Sequence, residues 1–309
     1  MKQNHLFVMM AVATMLTACE KQEMTAEGLS DGGRAEVTFT VSGDWQQPTF
    51  TRGSDPAVES VAVPQQQAEQ AARTRALSAD GKDMTDLWVL DYVDGSLAAQ
   101  VHQSAEDDDF GRPQMALSLG THHLYFVASR GADPTLSTAD GTITWAQTRD
   151  TFWKHLELTV TQARADSRSV TLDRVTTRLH VAVTDEIPET MARLSITPET
   201  WYYGLDYRTG EAVASSIAAR IINVPSSYVG TSGRLSVDIY GLSDAEEWTT
   251  GLTIAALDGS DGVLSEVAIA DAPFQRNRTT NYSGCLFAAD GAFAVSLADE
   301  WSTAADLTW

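Results

Sequence analysis

Cysteine is nearly missing from this chain. Cys19 and Cys285 are the only two in 309 residues. If Cys19 is consumed by modification, Cys285 is alone and no internal disulfide can form. Basic residues are also scarce, with 21 Lys and Arg against 42 Asp and Glu and a formal net charge of −21. Such a chain repels nucleic acid and anionic lipid headgroups, and the charge suits the solvated surface of a secreted protein. No phosphate-cradling glycine loop, Gly-x-Ser-x-Gly, His-Glu-x-x-His or Cys-x-x-Cys occurs, so the sequence offers no catalytic, cofactor or metal motif. Helical periodicity is almost absent.

One apolar stretch stands out. Leu6 to Leu16 follows the cationic Lys2. It has signal-peptide length and is shorter than the roughly 20 apolar residues a membrane-spanning helix needs. It ends in Leu16-Thr17-Ala18-Cys19, the pattern of a bacterial lipobox. Small residues there admit a peptidase, and the Cys19 thiol then carries diacylglycerol. Each buried methylene contributes about 0.8 kcal/mol, so two or more acyl chains hold a protein durably at a membrane. Residues 1–18 are therefore expected to be a signal peptide, and 19–34, polar and glycine-bearing, a tether.

The remainder reads as β-structure. Val37, Phe39 and Val41 alternate strictly with polar residues. Residues 44–83 then break the pattern with Pro48, Pro56, Pro64 and a Gln/Ala-rich piece, as a long exposed loop would. That loop carries Arg52, Arg73 and Arg75, natural targets for a trypsin-like protease. Strand-like segments follow in series from Leu87 to Leu297, punctuated by Asp94-Gly95 and Asp140-Gly141 turns. The segment Thr148 to His155 reads as a short helix. Many short alternating strands with frequent turns favour antiparallel β-sandwiches. Their number and length predict two in series, 35–172 and 173–309.

The remaining chemical candidates have structural readings. His122 and His123 are neighbours on a strand and point to opposite faces, so they cannot readily share a metal. Asp258 to Gly262 lacks a calcium loop's later glutamate and reads as a turn. Cys285, inside Tyr282 to Phe287, is expected to be a small buried core residue. Carboxylates are plentiful, but no motif singles out a hydrolytic pair. Trp201-Tyr202-Tyr203 is the best candidate for a sugar-stacking platform.

Several stretches, taken together in order, resemble the fimbrillin-like lipoproteins of Bacteroidales, the subunits and anchors of type V pili. They are Thr74-Arg75-Ala76, Asp86 to Leu90, His123 to Ser129, Leu172 to Val181 with Ile187-Pro188, Arg276 to Phe287, and Phe293 to Trp301. The resemblance implies two tandem transthyretin-like β-sandwiches, an all-β fold. It also implies a lipoprotein exported to the outer membrane, with other fimbrial subunits as partners. In polymerising members an Arg-specific protease removes the first strand, and a neighbour's C-terminal strand fills the groove. Carried over, Val37, Phe39 and Val41 are the teeth of the removable strand. Arg52, Arg73 or Arg75 is then the cleavage point, and Leu307 and Trp309 form a short donor tail. So short a tail suits an anchor or accessory subunit.

The leading expectation is thus a structural protein of the cell surface, not an enzyme, supporting adhesion through strand complementation, with host or bacterial surface ligands as further partners. The alternative is an outer-membrane glycan-binding lipoprotein. If Cys19 carries the anchor, Cys19→Ser moves the protein from the membrane fraction to the soluble fraction. Detergent partitioning of fractionated cells measures this.

Overall fold

Alternation at Val37, Phe39 and Val41 gives Arg34–Gly43, strand β1, one dry and one wet face. A computed structural model of the protein describes residues 33–43, 78–79, 82–130, 134–215, 219–287 and 293–298. Its first half continues with β2 (Ser78–Ala79), β3 (Lys82–Asp83), β4 (Asp86–Val93), β5 (Ser96–Ser104), β6 (Gln114–Ser118), β7 (Gly120–Ser129), β8 (Thr135–Ser137), β9 (Thr142–Thr144), β10 (Thr151–Val160) and β11 (Asp166–Arg174). The end of the stretch read as a loop, β2 and β3, forms a two-rung antiparallel ladder.

Seven of these strands form one sheet in the order β5-β4-β7-β10-β11-β1-β6. Only two register pairs, Phe152 with Arg174 and Trp153 with Asp173, join β10 to β11. There the sheet turns over on itself. Val37, Phe39, Val41, Leu117 and Leu172 on one side pack with Leu87, Val89, Leu124, Phe126 and Phe152 on the other. The Asp94-Gly95 turn takes positive φ at both residues, as a two-residue hairpin matched to strand twist requires.

No helix forms at Thr148 to His155: the first three residues are irregular and the rest begin strand β10. All ten residues of that strand pair antiparallel with β7. Phe152 and Leu156 face the inner core, while Trp153 faces a second apolar layer outside it. With apolar partners on both faces, the strand's apolar residues need not alternate, and the period-two signal is lost.

The second half comprises β12 (Thr177–Val183), β13 (Arg193–Pro198), β14 (Tyr202–Asp206), β15 (Glu211–Ser215), β16 (Arg220–Asn223), β17 (Leu235–Gly241), β18 (Glu247–Leu257), β19 (Val263–Gln275), β20 (Thr279–Gly284) and β21 (Phe293–Ala298). Sheets β17-β12-β20-β21 and β16-β13-β18-β19 enclose a core that includes Leu179, Val181, Ile239 and Tyr282 from one sheet and Leu194, Ile196, Ile254 and Phe274 from the other. The chain is thus all-β, two β-sandwiches in tandem. Most pairs are antiparallel, but β1 with β11 and β12 with β20 run parallel. Cys285 departs from expectation. It lies one residue beyond β20, half-buried, with Sγ 3.5 Å from the Thr184 hydroxyl, and the buried neighbours are Tyr282 and Leu286.

A third sheet, β15-β14-β9-β8, is built jointly. The first half lends β8 and β9, the second lends β14 and β15, and Gly204, Leu205 and Asp206 pair with Thr144, Ile143 and Thr142. Beneath it Leu90, Tyr92 and Val127 meet Ile143, Trp145, Leu205 and Tyr207. The Tyr92 and Tyr207 hydroxyls share a hydrogen bond of 2.6 Å, and the Trp153 indole N–H donates to the Tyr207 carbonyl at 2.7 Å.

Burial, and then the bond to Tyr92, hold the Tyr207 phenol well above its ordinary pKa of 10.0. Above that pH the unfolded chain gives up this proton while the folded chain keeps it. The contribution is therefore complete below pH 10.0 and is lost as pH rises. Tyr207→Phe should cost about 1 kcal/mol at neutral pH. It should also make the alkaline fall in stability shallower, as read from urea midpoints between about pH 9 and 11. Tyr125 and Tyr282, shifted the same way, keep part of that fall.

Candidate functional site: the seat of the first strand

The feature that distinguishes β1 is its position. It lies inside a sheet, between β11 and β6, although it is the first described strand of the chain. Along β11 it runs parallel from Val37 opposite Asp166 to Gly43 opposite Leu172. Along β6 it runs antiparallel from Arg34 opposite Ser118 to Thr38 opposite Gln114. Past the end of β6 the ladder continues on irregular chain. The Phe39 N–H donates to the Pro113 carbonyl at 3.0 Å and the Val41 N–H to the Gly111 carbonyl at 2.9 Å. Pro113 has no N–H to return, which is why the regular ladder stops there. The Ser42 and Thr171 hydroxyls meet at 3.4 Å near the far end.

Side chains complete the seat. Val37, Phe39 and Val41 are 2%, 0% and 0% exposed, while Arg34, Glu36 and Thr40 face water. Phe39 sits edge-on to Phe126 at 5.3 Å between ring centres. Each tooth contributes roughly 2 kcal/mol by burial. Beside Ala35 and Val37 a small cavity of about 80 Å³ is lined by Leu158, Val160, Asp166 and Arg168. A seat of this kind binds by main-chain hydrogen bonds along both edges and by alternate side chains entering pockets. It accepts any strand of matching alternation.

Other residues singled out from the sequence fall into three groups. Cys19, Arg52, Arg73, Arg75, Leu307 and Trp309 lie outside the described residues, as does most of the 44–83 stretch. Trp201 is in the core of the second sandwich. It is 5% exposed, its indole N–H donates to the Tyr240 carbonyl at 3.0 Å, and it meets Phe274 edge-on. Tyr202 and Tyr203 are half-buried, and the Tyr202 hydroxyl donates to Asp244 at 3.3 Å. The turn at Asp258 to Gly262 is closed by the Asp258 carboxylate, which accepts from the Ser260 and Gly262 N–H groups. Those bonds hold its pKa below the ordinary carboxylate value.

Two buried ionic groups were not anticipated. His122 and Asp91 are each 1% exposed. The His122 Nδ1 faces both Asp91 oxygens at 2.8 and 3.0 Å, and its Nε2 donates to the Ser118 carbonyl at 2.9 Å. Burial pushes the Asp91 pKa up, and the bond to His122 opposes this. In the second group, Arg174 clasps Asp150 through two N–H groups at 2.8 and 3.1 Å and reaches the Asn277 side-chain oxygen at 3.1 Å. That second contact ties the end of β11 to the β19–β20 turn, beside a cleft of about 280 Å³ that Arg276 and Trp153 also line. The one sequence signal was a strand interior carrying a charge, which must find a partner when buried. No set of three His, Cys, Asp or Glu side chains converges on one point among the described residues.

Tandem β-sandwiches of this class are known in solved structures. A candidate adhesin from Bacteroides ovatus superposes with TM-score 0.52 at 10% identity, over 86% of this chain and 93% of that one. A second candidate adhesin from Bacteroides ovatus gives 0.51 at 11%, over 90% and 96%. The C-terminally truncated tip fimbrial protein Mfa3 of Porphyromonas gingivalis gives only 0.40 at 13%, over 71% and 95%. At such identities the first two likenesses establish a shared fold. Residues 133–307, more than half of the chain, match a family of unknown function, DUF6562, and the protein belongs to that family. The matched span takes in β8 to β11 of the first half together with the whole second sandwich. No curated protein matches the sequence.

Phe39→Ala should cost about 3–5 kcal/mol in urea unfolding, because the ring has no exposed atoms and no space to collapse into. Thr40→Ala, on the wet face of the same strand, should stay within about 0.5 kcal/mol.

Proposed function

We propose that the protein is a cell-surface subunit of a fimbrium, or the lipoprotein that anchors one, and that it joins its neighbours by exchanging a β-strand. The observation that carries this reading is the seat of β1. A strand at the start of the chain supplies three fully buried teeth to an interior position, and the chain linking it onward contains Arg52, Arg73 and Arg75. Cleavage at one of these would leave β1 held only by its ladder and its side chains. Once it departs, Leu117, Val170 and Leu172 lose their cover, and two strand edges become unpaired at once. A second chain's strand relieves both defects. In the uncut, anchoring form Cys19 carries the lipid that holds the protein at the outer membrane. Leu307 and Trp309 are the short donor tail, and the surface left over serves adhesion to host or bacterial partners. The chain acts as a structural part without catalysis. A glycan-binding role loses its leading residue, since Trp201 is used up in the core.

Treatment of the purified protein with an Arg-specific protease tests this. Cleavage within 44–77 should release a fragment containing Val37, Phe39 and Val41, seen by mass spectrometry, and the remainder should run as detergent-resistant oligomers. A variant with Arg52, Arg73 and Arg75 all changed to Ala should stay monomeric. Cut chains that remain monomeric would count against strand exchange, and a wild-type chain that resists cutting would leave only the anchoring role.

A further inference from the structure

Five histidines lie among the described residues. Three of them are each held by an aspartate: His102 on Asp86 at 2.7 Å, His122 on Asp91 at 2.8 Å and His180 on Asp238 at 2.6 Å. The other two, His123 on β7 and His155 on β10, face each other instead, with Nδ1 and Nε2 3.1 Å apart. The strands set this up. His155 pairs with Tyr125, and His123 pairs with Glu157, so the two imidazoles are diagonal neighbours on the outer face of the β7–β10 ladder.

The rings are nearly parallel, 24° apart, with centres 5.3 Å apart. At that separation the two facing nitrogens lie between the rings, and one proton serves both. His155 is also stacked on Tyr125 at 4.8 Å and 17°, which limits its rotation. Both imidazoles are half-buried and open to solvent on one side.

We propose that His123 and His155 together bind a late transition-metal dication such as Zn²⁺ or Cu²⁺, which replaces the shared proton. Metal–imidazole bonds of about 2.0–2.1 Å at a tetrahedral angle need nitrogens about 3.4 Å apart, a few tenths of an ångström more than is present. A carboxylate lies nearby, although it does not converge on the pair. Glu157 is two residues beyond His155 on the same face, directly across from His123, and exposed. Water fills the remaining positions. Imidazole nitrogens select Zn²⁺ and Cu²⁺ over Ca²⁺ and Mg²⁺, which prefer oxygen donors. With two imidazoles and no converging third ligand in place, binding is weaker than at a closed four-ligand site. The site lies on the outer face of β7 and β10, opposite the core that holds β1, and does not depend on strand exchange.

Calorimetric titration of the full chain with ZnCl₂, CuCl₂ and CaCl₂ in a buffer that does not chelate tests the proposal. One equivalent of Zn²⁺ or Cu²⁺ should bind, and Ca²⁺ should not. His123→Ala and His155→Ala should each weaken binding by more than about tenfold. Glu157→Gln should weaken it less, and His180→Ala should leave it unchanged. Thermal melts without metal check that each variant folds. Electron paramagnetic resonance of the Cu²⁺-loaded wild type should show coupling to two imidazole nitrogens, a readout that needs no variant. No saturable binding, Ca²⁺ binding as tightly as Zn²⁺, or equal affinity in His155→Ala and wild type would overturn it.

Discussion

Over much of their length the strands β4, β7 and β10 carry apolar residues on both faces, and that constraint organises the molecule. Leu87, Val89, Leu124, Phe126 and Phe152 fill the first sandwich, while Leu90, Tyr92 and Val127 on the reverse side also need cover. A sheet with two apolar faces must be covered on both, as in three-layer folds. Here the outer cover is made by two hairpins, one from each half of the chain, joined edge to edge through β9 and β14. Covering that face thus fastens the second sandwich to the first. Polar bonds set the orientation: Trp153 to Tyr207, Arg208 to the Asp140 carbonyl, and Arg174 to Asn277. The buried Asp150 and Arg174 are tolerable because each satisfies the other.

The same local arrangement occurs twice. In the first sandwich β1 is antiparallel to β6 and parallel to β11, and in the second β12 is antiparallel to β17 and parallel to β20. Val37, Phe39 and Val41 occupy the first seat as Leu179, Val181 and Val183 occupy the second. What differs is covalent. Two residues separate β11 from β12, so no cut beside β12 can free it without splitting the protein. The first seat is different, because the chain beyond β1 runs through 44–77 before rejoining the sheet. A fold repeated in tandem therefore holds one strand that is fixed in the chain and one that a single cut could detach.

Where one face is dry and the other wet, the strands were legible in the sequence. Val37, Phe39 and Val41 alternate as their burial does, and Asp94-Gly95 turns where its composition says it should. Wherever both faces are covered the signal fails. Strand β10 reads as a helix because Trp153 and Phe152 are both apolar and face opposite cores. Trp201 reads as a surface platform, yet the second sandwich closes around it. The candidate site was legible in part: its teeth are visible in the alternation, but its two partner strands are not.

Local backbone geometry acts over a few residues, so the sequence by itself determined the strand-forming segments, their turns, the acidic surface and the near absence of thiol chemistry. Tertiary structure alone decided which strands became neighbours. It placed β1 inside a sheet, ran two pairs parallel, enclosed His122 with Asp91 and set His123 against His155. Those contacts join residues tens to more than a hundred positions apart. They depend on how distant apolar faces find cover, which no short window of sequence records.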